Sequence, residues 1–288
     1  MNELRDTYST KKCLLVLVCT FAVLMSVFAV FDLDISLSLV NMESHFGKFA
    51  EWSSEIPIDF LAMMSFAVLF VGRSKKKTVW SILGAIICFI GTFEYGFFIF
   101  FFSVKYASVK LAIILGATLG LALGIGALIV AKKLLSLHRE ELIRVALIIV
   151  VAVLLQEVVV NVLKSVWNRP RMRDLTASYT DFCVWYKPRT SALGGDSFPS
   201  GHTSKAAGAC LYVLLCDVFE KLKGKQACFF VVGLLWTALI GVGRIVLGAH
   251  FASDVTAGAF FMLLAFLIAR VLVDSILSKK NWRIRYGR

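Results

Sequence analysis

The chain has 288 residues, 59% of them hydrophobic, with a mean hydropathy of +0.80 and a formal net charge of +12. So apolar a composition excludes an ordinary soluble domain, and the recurrence of apolar runs of crossing length predicts an all-α polytopic membrane protein. The excess of 31 basic over 19 acidic residues is scattered through short loops, which reads as topology-setting charge and excludes a nucleic-acid partner.

Residues 1–12 are polar and end in Lys11 and Lys12; residues 13–31 form the first apolar run, read as an uncleaved helix. An acidic loop with Asp32, Asp34, Glu43, Glu51 and Glu55 is expected next, then a short second span over 58–71 and a basic stretch over 73–77. The third span covers 79–102 and the fourth 109–131, where Gly116, Gly120, Gly124 and Gly126 suit close helix packing. Lys132, Lys133, Arg139 and Arg144 mark the approach to a fifth span over 142–163. The longest polar connection, 165–199, leads to a sixth span over 200–219, a seventh over 227–242 and an eighth over 251–277. A basic tail closes a chain of about eight spans, divided as an N-terminal region of about four spans over 1–140 and a C-terminal region over 141–288.

The lysine and arginine clusters at the amino terminus, 73–77, 132–139, 221–225 and the tail place both termini on the cytoplasmic side of a cell membrane. The acidic loop, the 103–108 link, the 165–199 loop and the turn over 243–250 then face outward. Arg169, Arg171, Arg173, Lys187 and Arg189 make the 165–199 loop an exception, and binding an anion would give that exception a cause. Six of the seven cysteines fall in or at the ends of apolar runs and only Cys183 lies in a long polar loop, so neither a disulfide between loops nor a zinc site is expected.

The most informative stretch runs from Gly243 to Asp254, between the last two apolar runs. Charged side chains at that depth are costly and suggest a site. His250 and Asp254 are four residues apart, so they share a face if a helix begins there. A carboxylate so placed can accept the proton of one imidazole nitrogen and leave the other lone pair to attack. Arg244 offers a planar fork of donors suited to phosphate. The alternative is a snorkelling arginine with a capping pair at a helix end.

Two further polar clusters lie on the same expected face: Lys164 to Arg171, and Ser197-Phe198-Pro199-Ser200-Gly201-His202. In order, the three resemble the signature of the type 2 phosphatidic acid phosphatase and vanadium haloperoxidase superfamily. That signature is Lys, six residues, Arg-Pro; Pro-Ser-Gly-His; and Ser-Arg, five residues, His, three residues, Asp. The second motif matches completely at Pro199–His202; the third matches at Arg244, His250 and Asp254 with Gly243 in the serine's place; the first matches at Lys164 and Arg171 with Met172 in the proline's place.

The resemblance implies a helical-bundle phosphatase core in the C-terminal half, in the membrane lipid phosphatase branch. It implies that His250 attacks phosphorus, that Asp254 orients it, and that His202 protonates the leaving oxygen. Lys164, Arg171 and Arg244 would surround the phosphoryl oxygens, with Ser200 and Gly201 adding a helix start. No metal or other cofactor is expected, and the partners are membrane lipids and a lipid phosphate. The candidate substrates are phosphatidate, phosphatidylglycerophosphate and polyprenyl diphosphate. The rival reading is a protein that binds or transports a lipid phosphate without turnover.

Two arginines compete in the first motif. Arg169-Pro170 is a literal Arg-Pro pair, but Arg171 keeps the seven-residue offset from Lys164. Pro170 biases Arg169 away from helical geometry, so a turn there should swing Arg171 back toward Lys164. Arg171 is therefore expected on the phosphoryl group, and Arg169 on the headgroup or a neighbouring loop, its loss costing about as much as an exposed ion pair, ~1 kcal/mol. Glu157 and Asn161 share a helix face with Lys164, and Trp167, Trp185 and Tyr186 read as an interfacial aromatic belt.

Overall fold

The computed structural model describes residues 2–73, 78–104, 108–188 and 195–286. Ser74 to Lys77 of one expected basic cluster, Arg288 of the basic tail, Lys105 of the 103–108 link and Arg189 of the 165–199 loop lie outside them. Among the described residues the regular elements are helices, in the order α1 (Asn2–Leu39), α2 (His45–Ser53), α3 (Ile56–Gly72), α4 (Val79–Val104), α5 (Val109–Leu135), α6 (Arg139–Trp167), α7 (Gly201–Ala207), α8 (Leu215–Val218), α9 (Gln226–Val246) and α10 (Ala252–Tyr286). Among the described residues seven stretches are long and apolar enough to cross a membrane, with α2 and α3 counted as one.

Local chemistry sets several boundaries. Ser44 caps α2 by accepting from Gly47 N–H at 3.2 Å, and Pro57 occupies the first turn of α3. The Ser108 hydroxyl caps α5, accepting from Leu111 N–H at 3.3 Å. After α6, Asn168 takes a left-handed conformation (φ 48°), a state asparagine tolerates better than most residues.

Two expectations are corrected. The first helix does not stop at residue 31: it runs through Asp32 and Asp34 to Leu39, so Asp32 is helical and buried rather than in a loop. The expected sixth span is not one helix. It forms α7, a 3₁₀ stretch (Gly208–Leu214) and α8. The α-helix gives way at Gly208, a poor residue for a helix interior, and the apolar part of the stretch is well short of the ~20 residues of a crossing helix.

The chain packs as two compact units, each assembled from separated stretches. One comprises Met1–Ser54, Leu154–Cys210 and Val232–Leu267. The other comprises Glu55–Val153, Leu211–Val231 and Ile268–Arg288.

In the second unit α3, α4 and α5 pack together through glycines. A Cβ at Gly120 would lie 2.8 Å from the Gly96 backbone, while Gly116 and Gly124 lie under the rings of Phe97 and Phe93. Gly126 faces open space and plays no such part. Arg144 grips Asp274 with two nitrogens, at 2.6 and 2.9 Å, and Asp217 with a third at 3.0 Å. The first unit holds every residue singled out above as a candidate for the site.

Candidate active site

The end of α6 and the loop before α7 are tied together through backbone. Asn168 Oδ1 accepts from Gly195 N–H at 2.7 Å, and Arg169 C=O accepts from Ser197 N–H at 3.0 Å. A Cβ at Gly195 would sit 2.3 Å from the Arg169 carbonyl oxygen, so only glycine lets the strands lie this close. The Ser200 hydroxyl caps α7, accepting from Thr203 N–H at 3.3 Å, and Ser200 N–H donates to Asp254 C=O at 2.9 Å. The second motif is thereby fastened to the third. Left-handed Gly248 (φ 63°) turns the chain from α9 toward His250, and its carbonyl accepts from Arg173 N–H at 2.9 Å.

His250 is 1% exposed, with Nδ1 2.7 Å from the Ser197 carbonyl oxygen. A carbonyl can only accept, so Nδ1 carries the hydrogen and the lone pair of the neutral ring is on Nε2. Asp254 was expected to take that hydrogen, but its carboxylate is 3.9 Å from Nδ1. It accepts instead from the Ser197 hydroxyl at 2.6 Å and from Phe251 N–H at 2.8 Å, and it pairs with Arg169 at 2.6 Å. Asp254 thus orients His250 through the Ser197 segment rather than by direct contact. Burial first, then the charges of Arg244, Lys164, His202 and Arg171, hold the His250 imidazole well below its ordinary value of 6.5. A ring held neutral in this way keeps its lone pair on Nε2.

The two arginines of the first motif have separate environments. Arg169 is 1% exposed and fully engaged: Nε donates to the Cys183 carbonyl at 2.9 Å, Nη1 to Ser253 Oγ at 2.7 Å and Asp254 at 2.6 Å, and Nη2 to Asp32 at 2.8 Å. Its guanidinium also stacks 4.3 Å over Phe251. Cys183 belongs to the loop that Arg169 was expected to touch, but the small cost expected of an exposed ion pair is corrected to that of a buried one, because Pro170 and Asn168 turn the chain inward at this point. Arg171 is only part-buried and pairs with Asp196 at 2.7 Å, and Lys164 reaches the same aspartate at 3.9 Å. The Lys164 ammonium is also 3.8 Å from where a Cβ of Gly201 would be, which joins the first motif to the second. His202, in the first turn of α7, is close enough to act on His250 electrostatically. Arg244 is 1% exposed and pairs with Glu51 of α2 at 2.7 Å.

All eight residues singled out from the sequence lie in one unit: Lys164 and Arg171 meet at Asp196, Lys164 lies beside Gly201, Ser200 bonds the Asp254 backbone, and Arg244 and His202 act on His250 through charge. Four that were not singled out hold them there: Asp32, Glu51, Asp196 and Ser197. Farther along α6, Glu157 accepts from Asn161 and pairs with Lys205 at 3.3 Å. Trp167 and Trp185 pack against Met25 and Phe198 rather than forming only a rim. Among the described residues no group of three or more His, Cys, Asp or Glu side chains is placed to hold a metal ion.

Fold and site together define an all-helical membrane protein with a buried neutral histidine surrounded by cations. Residues 145–277 match the family model of the PAP2 superfamily, and this part of the chain is a PAP2 superfamily domain. The chain is also similar to the protein named phosphatidylglycerophosphatase B from Bacillus subtilis (strain 168), at 34% identity over 85 residues. That alignment covers 28% of this chain and 40% of the relative, so less than half of the relative's length is matched. No solved structure matches the chain. Asp32 and Glu51 lie ahead of the family domain.

Proposed function

We propose that the protein is a membrane-embedded lipid phosphatase that cleaves a phosphomonoester or diphosphate through a phosphohistidine at His250. The observation that carries this reading is the Nδ1 contact with the Ser197 carbonyl, which leaves the Nε2 lone pair as nucleophile. Nε2 attacks phosphorus, the bond from phosphorus to the lipid oxygen breaks, and His202 gives that oxygen a proton. Lys164, Arg171 and Arg244 neutralise charge on the phosphoryl oxygens as it develops. Asp254, 3.9 Å from the ring, stabilises the imidazolium through space. Water, deprotonated by His202, then attacks the phosphohistidine and releases phosphate. Every step runs on protein side chains, so turnover is expected to persist in excess chelator.

The name of the Bacillus relative makes phosphatidylglycerophosphate the first substrate to try, with phosphatidate and polyprenyl diphosphate beside it. The site opens, in this reading, to the extracytoplasmic side, with both termini cytoplasmic. The deciding experiment is phosphate release from this panel by purified protein in detergent, with and without chelator. Wild type is expected to turn over at least one substrate and His250→Ala none. A wild type that binds these lipids but releases no phosphate would make the protein a carrier instead. Orientation is read in intact cells depleted of native cysteines: Ser178→Cys should react with an impermeant thiol reagent and Ser136→Cys only after lysis, and the reverse would invert the topology.

A further inference from the structure

Position 243 holds glycine where the resembled motif has serine, and the structure gives that glycine a neighbour. A Cβ on Gly243 would lie 2.2 Å from the Ala50 Cβ of α2, a distance no real pair of carbons adopts. From the other side, a Cβ on Gly47 would lie 2.6 Å from Leu247 Cγ and 3.3 Å from the Gly243 carbonyl oxygen. Helices α2 and α9 therefore cross nearly backbone to backbone through three small residues. Just ahead of α2, Asn41 N–H donates to the Val246 carbonyl at 2.7 Å and pins the approach. Ala50 also packs on Ala206 of α7 and Ile240 of α9, so α2 touches both helices that carry the second and third motifs.

One residue after Ala50, the Glu51 carboxylate lies 2.7 Å from Arg244 Nη1. We propose that α2 is a working part of the phosphate site. Glu51 is the positioning residue for Arg244, and Gly243 is the notch that lets Glu51 come close enough. This rests on the phosphatase reading for the role of Arg244. The Glu51 carboxylate, 2.7 Å from Nη1, supplies the counter-charge and holds the charged end of the Arg244 side chain beside α2. Arg244 is 1% exposed, and a buried guanidinium needs a counter-charge before any phosphate arrives. A serine at position 243 would add a small hydroxyl to the site and exclude α2. Glycine exchanges that hydroxyl for a carboxylate delivered by another helix.

The test uses the full chain purified in detergent and titrated calorimetrically with inorganic phosphate, beside kinetics on the best lipid phosphate. Glu51→Gln keeps the shape and removes the charge. It is expected to weaken phosphate binding and lower kcat by ~10–100-fold, the scale of losing a residue that orients a ligand-binding group, and to lower the unfolding temperature, because Arg244 is left buried without its counter-charge. Glu51→Asp should recover part of the loss. Gly243→Ser, which restores the motif residue, is expected to lose affinity as well. Gly243→Ala should be impaired and Gly243→Ala with Ala50→Gly restored, because the second change removes the obstructing methyl. Wild-type phosphate affinity and kcat in Glu51→Gln, or in Gly243→Ser, would overturn the proposal. If Glu51→Gln does not fold, the pair of glycine and alanine variants decides: an impaired Gly243→Ala that Ala50→Gly fails to rescue overturns it equally. A wild type that binds phosphate but hydrolyses no lipid phosphate would sink the phosphatase reading alone, because the affinity comparison needs no turnover.

Discussion

Arg169 in one compact unit and Arg144 in the other are each held between two aspartates, and the two networks contrast chiefly in burial. Arg169, Asp32 and Asp254 have side chains 1, 3 and 0% exposed. Arg144, Asp217 and Asp274 are 27, 32 and 40% exposed. The same three charges do different work in the two places. In water-accessible surroundings such a network is screened and contributes little. In the buried unit, desolvation makes every charge depend on its partners, and removing one leaves the others stranded. The buried network is therefore a fixed frame. Asp254 is held from one side by Arg169 and from the other by Ser197, whose carbonyl sets the His250 ring.

The largest effect should come from breaking that frame. Arg169→Ala leaves Asp32 and Asp254 buried without their cation, and is expected to destabilise the protein by ~3–5 kcal/mol, read by denaturant unfolding in detergent. Activity should fall with it, because His250 loses its orientation. A loss below about 1 kcal/mol, the scale of an exposed pair, would show that burial is not what distinguishes the two networks.

Two residues along, Arg171 sharpens the contrast within one motif. It is part-buried on Asp196, so its removal strands no deeply buried charge. Arg171→Ala should lower kcat/KM by about two or more orders of magnitude, the scale of a lost transition-state donor, while the unfolding midpoint stays near that of wild type. Equal damage to stability in both variants would mean that Arg171 belongs to the frame and not to the phosphate.

The sequence made one of these layers readable and hid the other. Lys164, Arg171, Ser200, Gly201, His202, Arg244, His250 and Asp254 could be singled out because short spacings within three segments carry their chemistry, and the structure places them in one unit. Asp32 was not, since its partner is 137 residues away and a carboxylate at the end of an apolar run looks like the start of a loop. Nothing in a one-dimensional pattern registers one helix against another so distant. Ser197 stood at the head of the second cluster, but its part was hidden for a different reason: the group that fixes His250 is its backbone carbonyl, which every residue possesses. Glu51 left a fainter trace, in Gly47 and Ala50 nearby, whose small size permits a close helix crossing. The helical class followed from hydropathy alone. The broken stretch after Ser200 shows where hydropathy stops being a guide to helix continuity.

The frame also predicts a pH dependence. Burial and four neighbouring cationic groups hold the His250 imidazole below 6.5. As pH falls through that value the unfolded chain takes up the proton first, and the folded chain resists it. The stability contributed by keeping His250 neutral is thus complete above pH 6.5 and is lost as pH drops toward the lowered folded value, by at most ~1.4 kcal/mol per pH unit. Unfolding measured at pH 7.5 and 5.5 should show a steeper decline for wild type than for His250→Asn. Parallel declines would mean that the ring is not held neutral by the fold.

The smallest effect belongs to Arg144, although its geometry is the better of the two by ordinary criteria. Nε and Nη2 meet the two oxygens of Asp274 at 2.6 and 2.9 Å, a bidentate arrangement, and Nη1 reaches Asp217 at 3.0 Å. If geometry governed, Arg144→Ala would be as damaging as Arg169→Ala. If burial governs, water and salt can replace what the arginine supplied, because every member of the network is at least a quarter exposed. The expected loss is then no more than ~1 kcal/mol. It should shrink as the screening length falls from about 10 Å at 0.1 M salt to about 3 Å at 1 M. The loss in Arg169→Ala should stay unchanged over the same range, since no ions reach its partners. Measuring both variants at the two salt concentrations separates geometry from burial. A loss at Arg144 that matches Arg169 and does not move with salt would decide for geometry.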